Sequence, residues 1–107
     1  MNKLLEYLER KDSENEKIRM MAIAHNDYVY GIEVRFSAAL CESDRDNFNK
    51  ITNVVNRRSG GVLKVVSTWE EFFSGIISLR VAFCNNAYAD KQVMECMDLF
   101  VKEMLLL

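Results

Sequence analysis

Two kinds of short segment in this sequence bring together residue types that could act in catalysis or bind ions. His25-Asn26-Asp27 places the single imidazole of the chain beside a carboxylate, which is a pairing that a general base or a metal ligand could use. No recognisable motif ties a serine or cysteine nucleophile to these residues, and a tight turn between two strands favours the same residue types. We therefore expect a hairpin turn here, with no catalytic site and no metal site.

A second set of polar residues could bind ions. The stretch Asn56-Arg57-Arg58-Ser59-Gly60-Gly61 offers arginine forks and backbone amides that would suit a phosphate. The carboxylates of Glu42, Asp44 and Asp46 could coordinate a cation. Both stretches also fit the ends of one helix, because acidic residues favour its start and a basic pair followed by glycines favours its end. We expect helix capping in both places.

The sequence Trp69-Glu70-Glu71-Phe72-Phe73 is the strongest candidate for a surface that contacts a partner. It falls between two predicted strands, and three large aromatics at one hairpin tip do not all turn inward easily. The alternative is that Phe73, or Phe72 as well, closes the core. The residues predicted to contact a protein partner are Trp69, Phe72, Glu70 and Glu71 at the tip, with Met21 and Ile23 on the outer face of a strand.

Composition limits the function further. The 107 residues suit one domain, residues 1–107, and the 14 basic against 16 acidic side chains give a net charge of −2. That balance argues against general nucleic-acid binding. It leaves open a weak nucleic-acid or anion contact by a few cations on the middle helix, namely Arg45, Lys50, Arg57 and Arg58.

The cysteines and the apolar runs predict the compartment. Cys41, Cys84 and Cys96 form no CxxC pair, which favours reduced and mostly packed thiols, and we expect no cofactor. The N-terminus lacks a continuous apolar stretch of signal-peptide length, and no apolar run approaches the roughly 20 residues that cross a bilayer. We expect a cytoplasmic protein that does not enter a membrane.

The periodicity of apolar residues predicts a short helix at residues 2–11 and two β-β-α units at about 17–58 and 62–105. Residues 17–25 favour helix by composition, but the strict alternation that follows them favours a hairpin partner, so we predict a strand. That alternation places Tyr28, Tyr30 and Ile32 on one face of the second strand. The third strand is expected at Val62 to about Thr68, and the fourth at about Ile76 to Cys84. The inward residues of the fourth strand are expected to be Ile77, Leu79, Val81 and Phe83.

The resulting order α-β-β-α-β-β-α predicts a two-layer α+β domain with a mainly antiparallel sheet and helices packed on one face. Residues 18–32 and 62–76 also repeat one apolar pattern at an offset of 44 positions. Both a true internal duplication and convergent patterning of two similar hairpins explain this repeat.

From residue 47 to 104 the pattern resembles the cytoplasmic YbjN-like domains, which look like type III secretion chaperones in fold. The stretches NFNKITNVVNRRSGGVLKVV, GIISLRVAF and ADKQVMECMDLFVKEM show this resemblance. The matching residues are Asn53, Asn56, Arg57, Arg58, Gly61, Arg80, Asp90 and Phe100. Family members usually have three strands before the middle helix, whereas two are predicted here. The resemblance implies an acidic, non-enzymatic and dimeric domain that holds partner proteins along its surface.

These observations together predict a non-enzymatic, chaperone-like or regulatory domain that forms a homodimer and buries apolar surface of a partner protein. One alternative is a small phage-type inhibitor that blocks a host nuclease, as anti-CRISPR proteins do. In that case Glu70 and Glu71, or Glu42, Asp44 and Asp46, would meet a basic groove. The second alternative is the weak nucleic-acid-binding module on the middle helix.

Overall fold

The computed structural model describes residues 3–14, 16–25, 28–82 and 87–107, the last range with side chains from residue 91 onward. The described residues form four α-helices and four strands. They are α1 (Lys3–Glu14), β1 (Ile18–His25), β2 (Tyr28–Phe36), α2 (Arg45–Arg58), β3 (Leu63–Val65), α3 (Trp69–Phe73), β4 (Ile76–Val81) and α4 (Ala87–Met104). A short 3-10 turn, Glu42–Asp44, precedes α2. The predicted α+β class is confirmed.

The four strands form one antiparallel sheet in the order β1-β2-β4-β3. Residues 18–25 do form a strand, and β1 pairs with β2 from Ile18 opposite Phe36 to His25 opposite Tyr28. The chain then crosses over through α2, so that β4 pairs with β2 and the short β3 becomes the far edge. The two edges of the sheet are therefore β1 and β3.

The helices α1, α2 and α4 cover one face of this sheet. One stripe of α4 is entirely buried, and it meets the inward residues of the strands in a single core. Ile32, Val34, Ile77 and Leu79 of the two central strands lie beneath it. The described inward residues predicted for β4 are confirmed, and Phe83 lies outside the described residues. The buried α4 residues are Val93, Cys96, Met97, Phe100 and Met104.

The first helix docks on this layer through one polar contact as well as its leucines. Leu4, Tyr7 and Leu8 are buried. The Tyr7 hydroxyl donates a short hydrogen bond to the Asp98 carboxylate of α4, which also lies 3.7 Å from Lys11 Nζ. Burial, together with this bond to a carboxylate, raises the pKa of Tyr7 far above its usual value. Because the bond joins the first and last described helices, it holds α1 against α4.

The structure corrects the predicted tip between the third and fourth strands. Residues Trp69–Phe73 form a short helix, and β3 ends at Val65 rather than near Thr68. The reason is a capping box: the Glu71 backbone N–H donates to Thr68 Oγ1 at 3.1 Å, and the Thr68 N–H donates to Glu71 Oε1 at 3.0 Å. The order along the chain is therefore α-β-β-α-β-α-β-α.

Candidate protein-binding surface

The second face of the sheet is largely open: α1, α2 and α4 pack on the other face, and α3 reaches this one through the Glu71 carboxylate, which accepts a hydrogen bond from the Ser78 hydroxyl. Strand side chains alternate between the two faces, so the neighbours of each buried residue point to this side. The outward positions mix apolar, aromatic and cationic groups with one carboxylate. They are Arg19, Met21 and Ile23 on β1, Tyr28, Tyr30, Glu33 and Arg35 on β2, Ile76, Ser78 and Arg80 on β4, and Lys64 on β3.

Tyr30 is on this face because of a bulge in β2. The register with β1 changes between Ile23, which is opposite Gly31, and Ala24, which is opposite Val29. Tyr30 is the extra residue, so the alternation reverses there and Val29 becomes buried. The prediction that Tyr28, Tyr30 and Ile32 share a face is therefore wrong, since Ile32 is buried and both tyrosines are exposed. Gly31 inside a strand was the available signal for the bulge.

Two of the predicted partner-contacting residues do lie on the open face. Met21 is 53% exposed and Ile23 is 38% exposed, both on β1. Tyr28 and Tyr30 of the adjacent strand are exposed beside them. We refer to Met21, Ile23, Tyr28 and Tyr30 as the β1–β2 patch. The two tyrosines were absent from the predicted site because the alternation, read without a bulge, turned them inward.

The free edge of β1 is partly blocked. The Met20 N–H donates to Asp12 Oδ1 of α1 at 2.7 Å, and Asp12 Oδ2 lies 3.6 Å from Arg19 Nη1. A side-chain carboxylate therefore occupies a backbone donor that a further strand would need. Edge strands protected in this way resist pairing with another chain. A partner has easier access to the open face than to the β1 edge.

The predicted contact residues in α3 have different environments. Phe72 has 0% exposure and packs against Phe48 of α2 with ring centroids 4.6 Å apart, so it closes the core and does not reach a partner. Trp69 is 38% exposed, and the Arg45 guanidinium lies 4.1 Å from the centroid of its ring. This stacking is a cation–π contact. Trp69 keeps a partly open face, but Phe72 is excluded from the surface.

The two glutamates of α3 also differ. Glu70 is exposed, whereas the Glu71 carboxylate accepts hydrogen bonds from Thr68 and from the Ser78 hydroxyl. Hydrogen bonding by the Thr68 backbone N–H, helped by the Ser78 and Thr68 hydroxyls, lowers the pKa of Glu71. Glu71 therefore holds α3 against β4, whereas the exposed Glu70 has no such structural role.

The sequence-predicted contact residues do not form one surface. Met21 and Ile23 lie on β1, at one edge of the sheet. Trp69 lines a groove with Val65 and Lys64 beside β3, at the opposite edge. The strand order separates the two sets by two intervening strands. A single compact partner segment would therefore use one set or the other.

The four cations predicted for an anion contact are also separated. Arg45 begins α2, where its Nη1 lies 2.9 Å from Glu42 Oε1 and its guanidinium stacks on Trp69. Arg57 and Arg58 end the same helix, about 20 Å away at 1.5 Å per residue. Lys50 is exposed between them. A single small anion cannot contact all four of these cations.

The glycines after α2 end the helix, as expected. Gly60 and Gly61 have φ of 65° and 83°, which favours glycine. The Gly60 N–H donates to Arg57 O at 3.1 Å, and the Gly61 N–H donates to Asn56 O at 2.9 Å. Both amides are bound to carbonyls of the helix, so neither is open to a phosphate.

The acidic residues before α2 act at its start. The Asp44 carboxylate accepts a hydrogen bond from the Cys41 N–H at 2.9 Å, and Glu42 pairs with Arg45. Since Arg45 also stacks on Trp69, the 3-10 turn lies next to α3. Tertiary contacts thus bring the predicted acidic clusters around Glu42 and Glu70 to the same end of the molecule.

The remaining candidate groups give no catalytic arrangement among the described residues. His25 is exposed at the end of β1, while Asn26, Asp27 and Cys84 lie outside the described residues. Cys41 is exposed and Cys96 is buried, and burial raises the pKa of the Cys96 thiol. Within the described ranges, no three histidine, cysteine or acidic side chains come together as metal ligands. No described helix has both the length and the apolar character needed to cross a membrane.

Comparisons of the chain with protein-family models, curated proteins and solved structures give no match.

Proposed function

We propose that this chain is a non-enzymatic protein-binding domain that captures a segment of a partner on the open face of its sheet. The observation that supports this proposal is the β1–β2 patch, in which four exposed Met, Ile and Tyr side chains lie on two adjacent strands. Methionine and aromatic residues are enriched at protein interfaces, and tyrosine is common among residues that dominate binding energy. The binding energy would come from burial of this patch.

The resemblance to YbjN-like domains and type III secretion chaperones agrees with this proposal. It implies a cytoplasmic, dimeric domain that holds a partner along its surface, and the α+β architecture with one uncovered sheet face provides a surface of that kind. The proposed mechanism differs from the one expected from sequence in its location. The contact lies on β1 and β2, and α3 contributes no buried anchor because Phe72 is in the core.

A paired substitution of the patch tests this function. Met21→Ser with Ile23→Ser is expected to abolish capture of partner proteins from extract of the native cells, measured by quantitative mass spectrometry of tagged pull-downs. The matched control is Leu105→Ser with Leu106→Ser, which changes two exposed leucines at the end of the chain. Equal capture by both variants and the wild type would contradict the proposal.

The same variants test the proposed homodimer. Light scattering on the purified protein is expected to give twice the monomer mass of 12.4 kDa. If Met21→Ser with Ile23→Ser converts that dimer into a monomer, a second copy of the chain occupies the open face. If the dimer persists, the open face stays available for another protein.

The nuclease-inhibitor alternative stays a second candidate, because Arg45 brings the acidic residues around Glu42 and Glu70 to one end of the molecule. Binding to a basic groove would weaken steeply between low and high salt, whereas burial of an apolar patch would change little. Glu42→Gln with Glu70→Gln would reduce binding under the inhibitor hypothesis and leave it unchanged under the preferred one. Capture by that pair of variants at two salt concentrations separates the two functions.

A further inference from the structure

One row of residues crosses all four strands of the open face beside the β1–β2 patch. Ile23 of β1 is opposite Gly31 of β2, Gly31 is opposite Arg80 of β4, and Arg80 is opposite Lys64 of β3. The row therefore begins with an aliphatic side chain and ends with two cations. At about 4.8 Å between strands, Ile23 and Arg80 are about 10 Å apart.

The two cations at the end of this row have no charged partner among the described residues. In the part of the chain that the structure describes, neither Lys64 nor Arg80 forms an ion pair. The other two arginines of the open face are paired: Arg19 lies 3.6 Å from Asp12, and Arg35 lies 3.3 Å from Glu33. Like charges directly opposite on neighbouring strands destabilise a sheet. The Lys64–Arg80 pair is thus a local excess of positive charge on a chain whose net charge is −2.

Gly31 and Ile23 give the row its shape. A Cβ atom placed on Gly31 would lie 3.3 Å from both Cβ and Cδ1 of Ile23, so the Ile23 side chain leans over the glycine toward β4. Because position 31 has no side chain, Ile23 covers the surface between the β1–β2 patch and the two cations, and this surface is apolar. An extended peptide of about three residues covers the 10 Å from Ile23 to Arg80.

We propose that the partner segment captured on the open face is acidic. One of its apolar side chains packs on Met21 and Ile23, and carboxylates about three to five residues further along pair with Arg80 and Lys64. This inference rests on the proposed protein-binding function and names the chemistry of its partner. Carboxylates next to Arg80 and Lys64 would neutralise two cations that repel each other in the free protein.

The neighbouring residues favour an acidic peptide over a single-stranded nucleic acid. Glu33 lies in the next row of the sheet, opposite Met21 on one side and Ser78 on the other, where it would repel a phosphate backbone crossing the face. The aliphatic Met21 and Ile23 would also be covered by charged phosphates at one end of the row. A peptide can place an apolar side chain there and its carboxylates at the other end.

The test selects random 12-residue peptides displayed on phage against the immobilised full chain. Enriched peptides are expected to contain Asp or Glu three to five residues from an apolar residue, more often than the starting library. Synthetic versions of the enriched peptides are then measured by fluorescence anisotropy. Lys64→Gln with Arg80→Gln is expected to weaken binding about two- to thirty-fold, as the loss of two exposed ion pairs predicts. The control Arg57→Gln with Lys102→Gln removes the same charge elsewhere and is expected to leave binding unchanged.

The outcomes separate this inference from the function on which it rests. Enriched peptides that are apolar without acidic residues would overturn the acidic partner and leave protein binding in place. Acidic peptides that bind the Lys64→Gln, Arg80→Gln variant as tightly as the wild type would also overturn the acidic partner and leave protein binding in place. If no peptide is enriched and the Met21→Ser, Ile23→Ser variant still captures its partner, both proposals fail. Binding of a 12-nucleotide oligo(dT) that is lost in the Lys64→Gln, Arg80→Gln variant would overturn the inference in favour of nucleic acid.

Discussion

The two faces of the sheet are built from alternate residues of the same strands, yet they have opposite properties. On the helix-covered face, Ile32, Val34, Ile77 and Leu79 are almost fully buried. On the open face, the adjacent positions carry exposed apolar groups and cations, and two of these cations, Lys64 and Arg80, form no ion pair with any residue that the structure describes. The comparison indicates that the covered face provides most of the apolar burial, whereas the open face contributes little to it. Binding sites are commonly the less stabilised part of a fold.

The largest expected effect comes from truncating one side chain on each face. Phe100→Ala on the covered side is expected to lower the free energy of unfolding by about 3–5 kcal/mol, because it leaves a cavity in a packed core. Tyr30→Ala, at 54% exposure, is expected to change it by about 0.5 kcal/mol or less. Urea unfolding followed by circular dichroism measures both values.

Phe100→Leu provides a folded substitute if the alanine variant does not fold, and it should still lose more stability than Tyr30→Ala. An equal loss of unfolding free energy at Phe100 and Tyr30 would contradict the difference between the two faces. It would mean that another molecule, such as a second copy of the chain, covers the open face in solution.

A second prediction concerns the close contact between Gly31 and Ile23 on the open face. Gly31→Val is expected to cost about 1–3 kcal/mol, because its side chain would collide with Ile23 and approach Leu79 O, 3.5 Å from the Cβ position. Adding Ile23→Ala is expected to recover part of that loss in a double-mutant cycle of unfolding free energies. Adding Met21→Ala serves as the control and should recover nothing. Equal recovery by both partners would show that the cost of Gly31→Val comes from the bulge itself and not from Ile23.

The α3 capping box gives a smaller effect that depends on pH. Thr68→Ala is expected to lower the free energy of unfolding by about 1 kcal/mol at pH 7. Because the pKa of Glu71 is lowered on folding, the unfolded chain binds this proton more readily. The stabilisation is therefore present above the unfolded value of about 4.5 and is lost as the pH falls through the lower folded value.

Unfolding free energies of the wild type and Glu71→Gln check this sign. The difference between the two proteins should be larger at pH 7 than at pH 3. Glu70→Gln is the matched control, since Glu70 is exposed in the same helix, and it should show little difference at either pH. A gap for Glu71→Gln that stays constant from pH 7 to pH 3 would contradict the assigned role of this carboxylate.

The smallest expected effect is the clearest test of the open face, because the substitution is expected to stabilise the protein. Lys64→Glu is expected to raise the free energy of unfolding by about 0.2–1 kcal/mol, since it replaces a like-charged neighbour of Arg80 with an opposite charge. Thermal unfolding at low salt measures it, and the gain should shrink as salt is added. Lys102→Glu, exposed on α4, is the matched control. If Lys64→Glu is equally stabilising when Arg80 is already Gln, Lys64 and Arg80 do not repel each other in the free protein.

Much of the covered face could be predicted from the sequence, because its signals are local. The spacing of Val93, Met97, Phe100 and Met104 indicated the buried stripe of α4, and the alternation in β4 indicated its inward residues. Arg80 lies between two of these inward positions, so its exposed side chain agrees with the same alternation. The α3 helix was missed, although Thr68 and Glu71 have the spacing of a capping box. The aromatic residues between two predicted strands favoured a hairpin tip over that local signal.

The sequence by itself determined which residues are buried in the helices and straight strands, since helical and strand periodicities depend on neighbouring residues alone. Only the tertiary structure decided which strands lie next to each other. The order β1-β2-β4-β3 placed Lys64 opposite Arg80 and separated Met21 from Trp69, and α2 packing placed Arg45 over Trp69. The bulge at Tyr30 likewise arose from the pairing of β2 with β1. These juxtapositions depend on contacts between distant residues, and no local pattern of polarity specifies them.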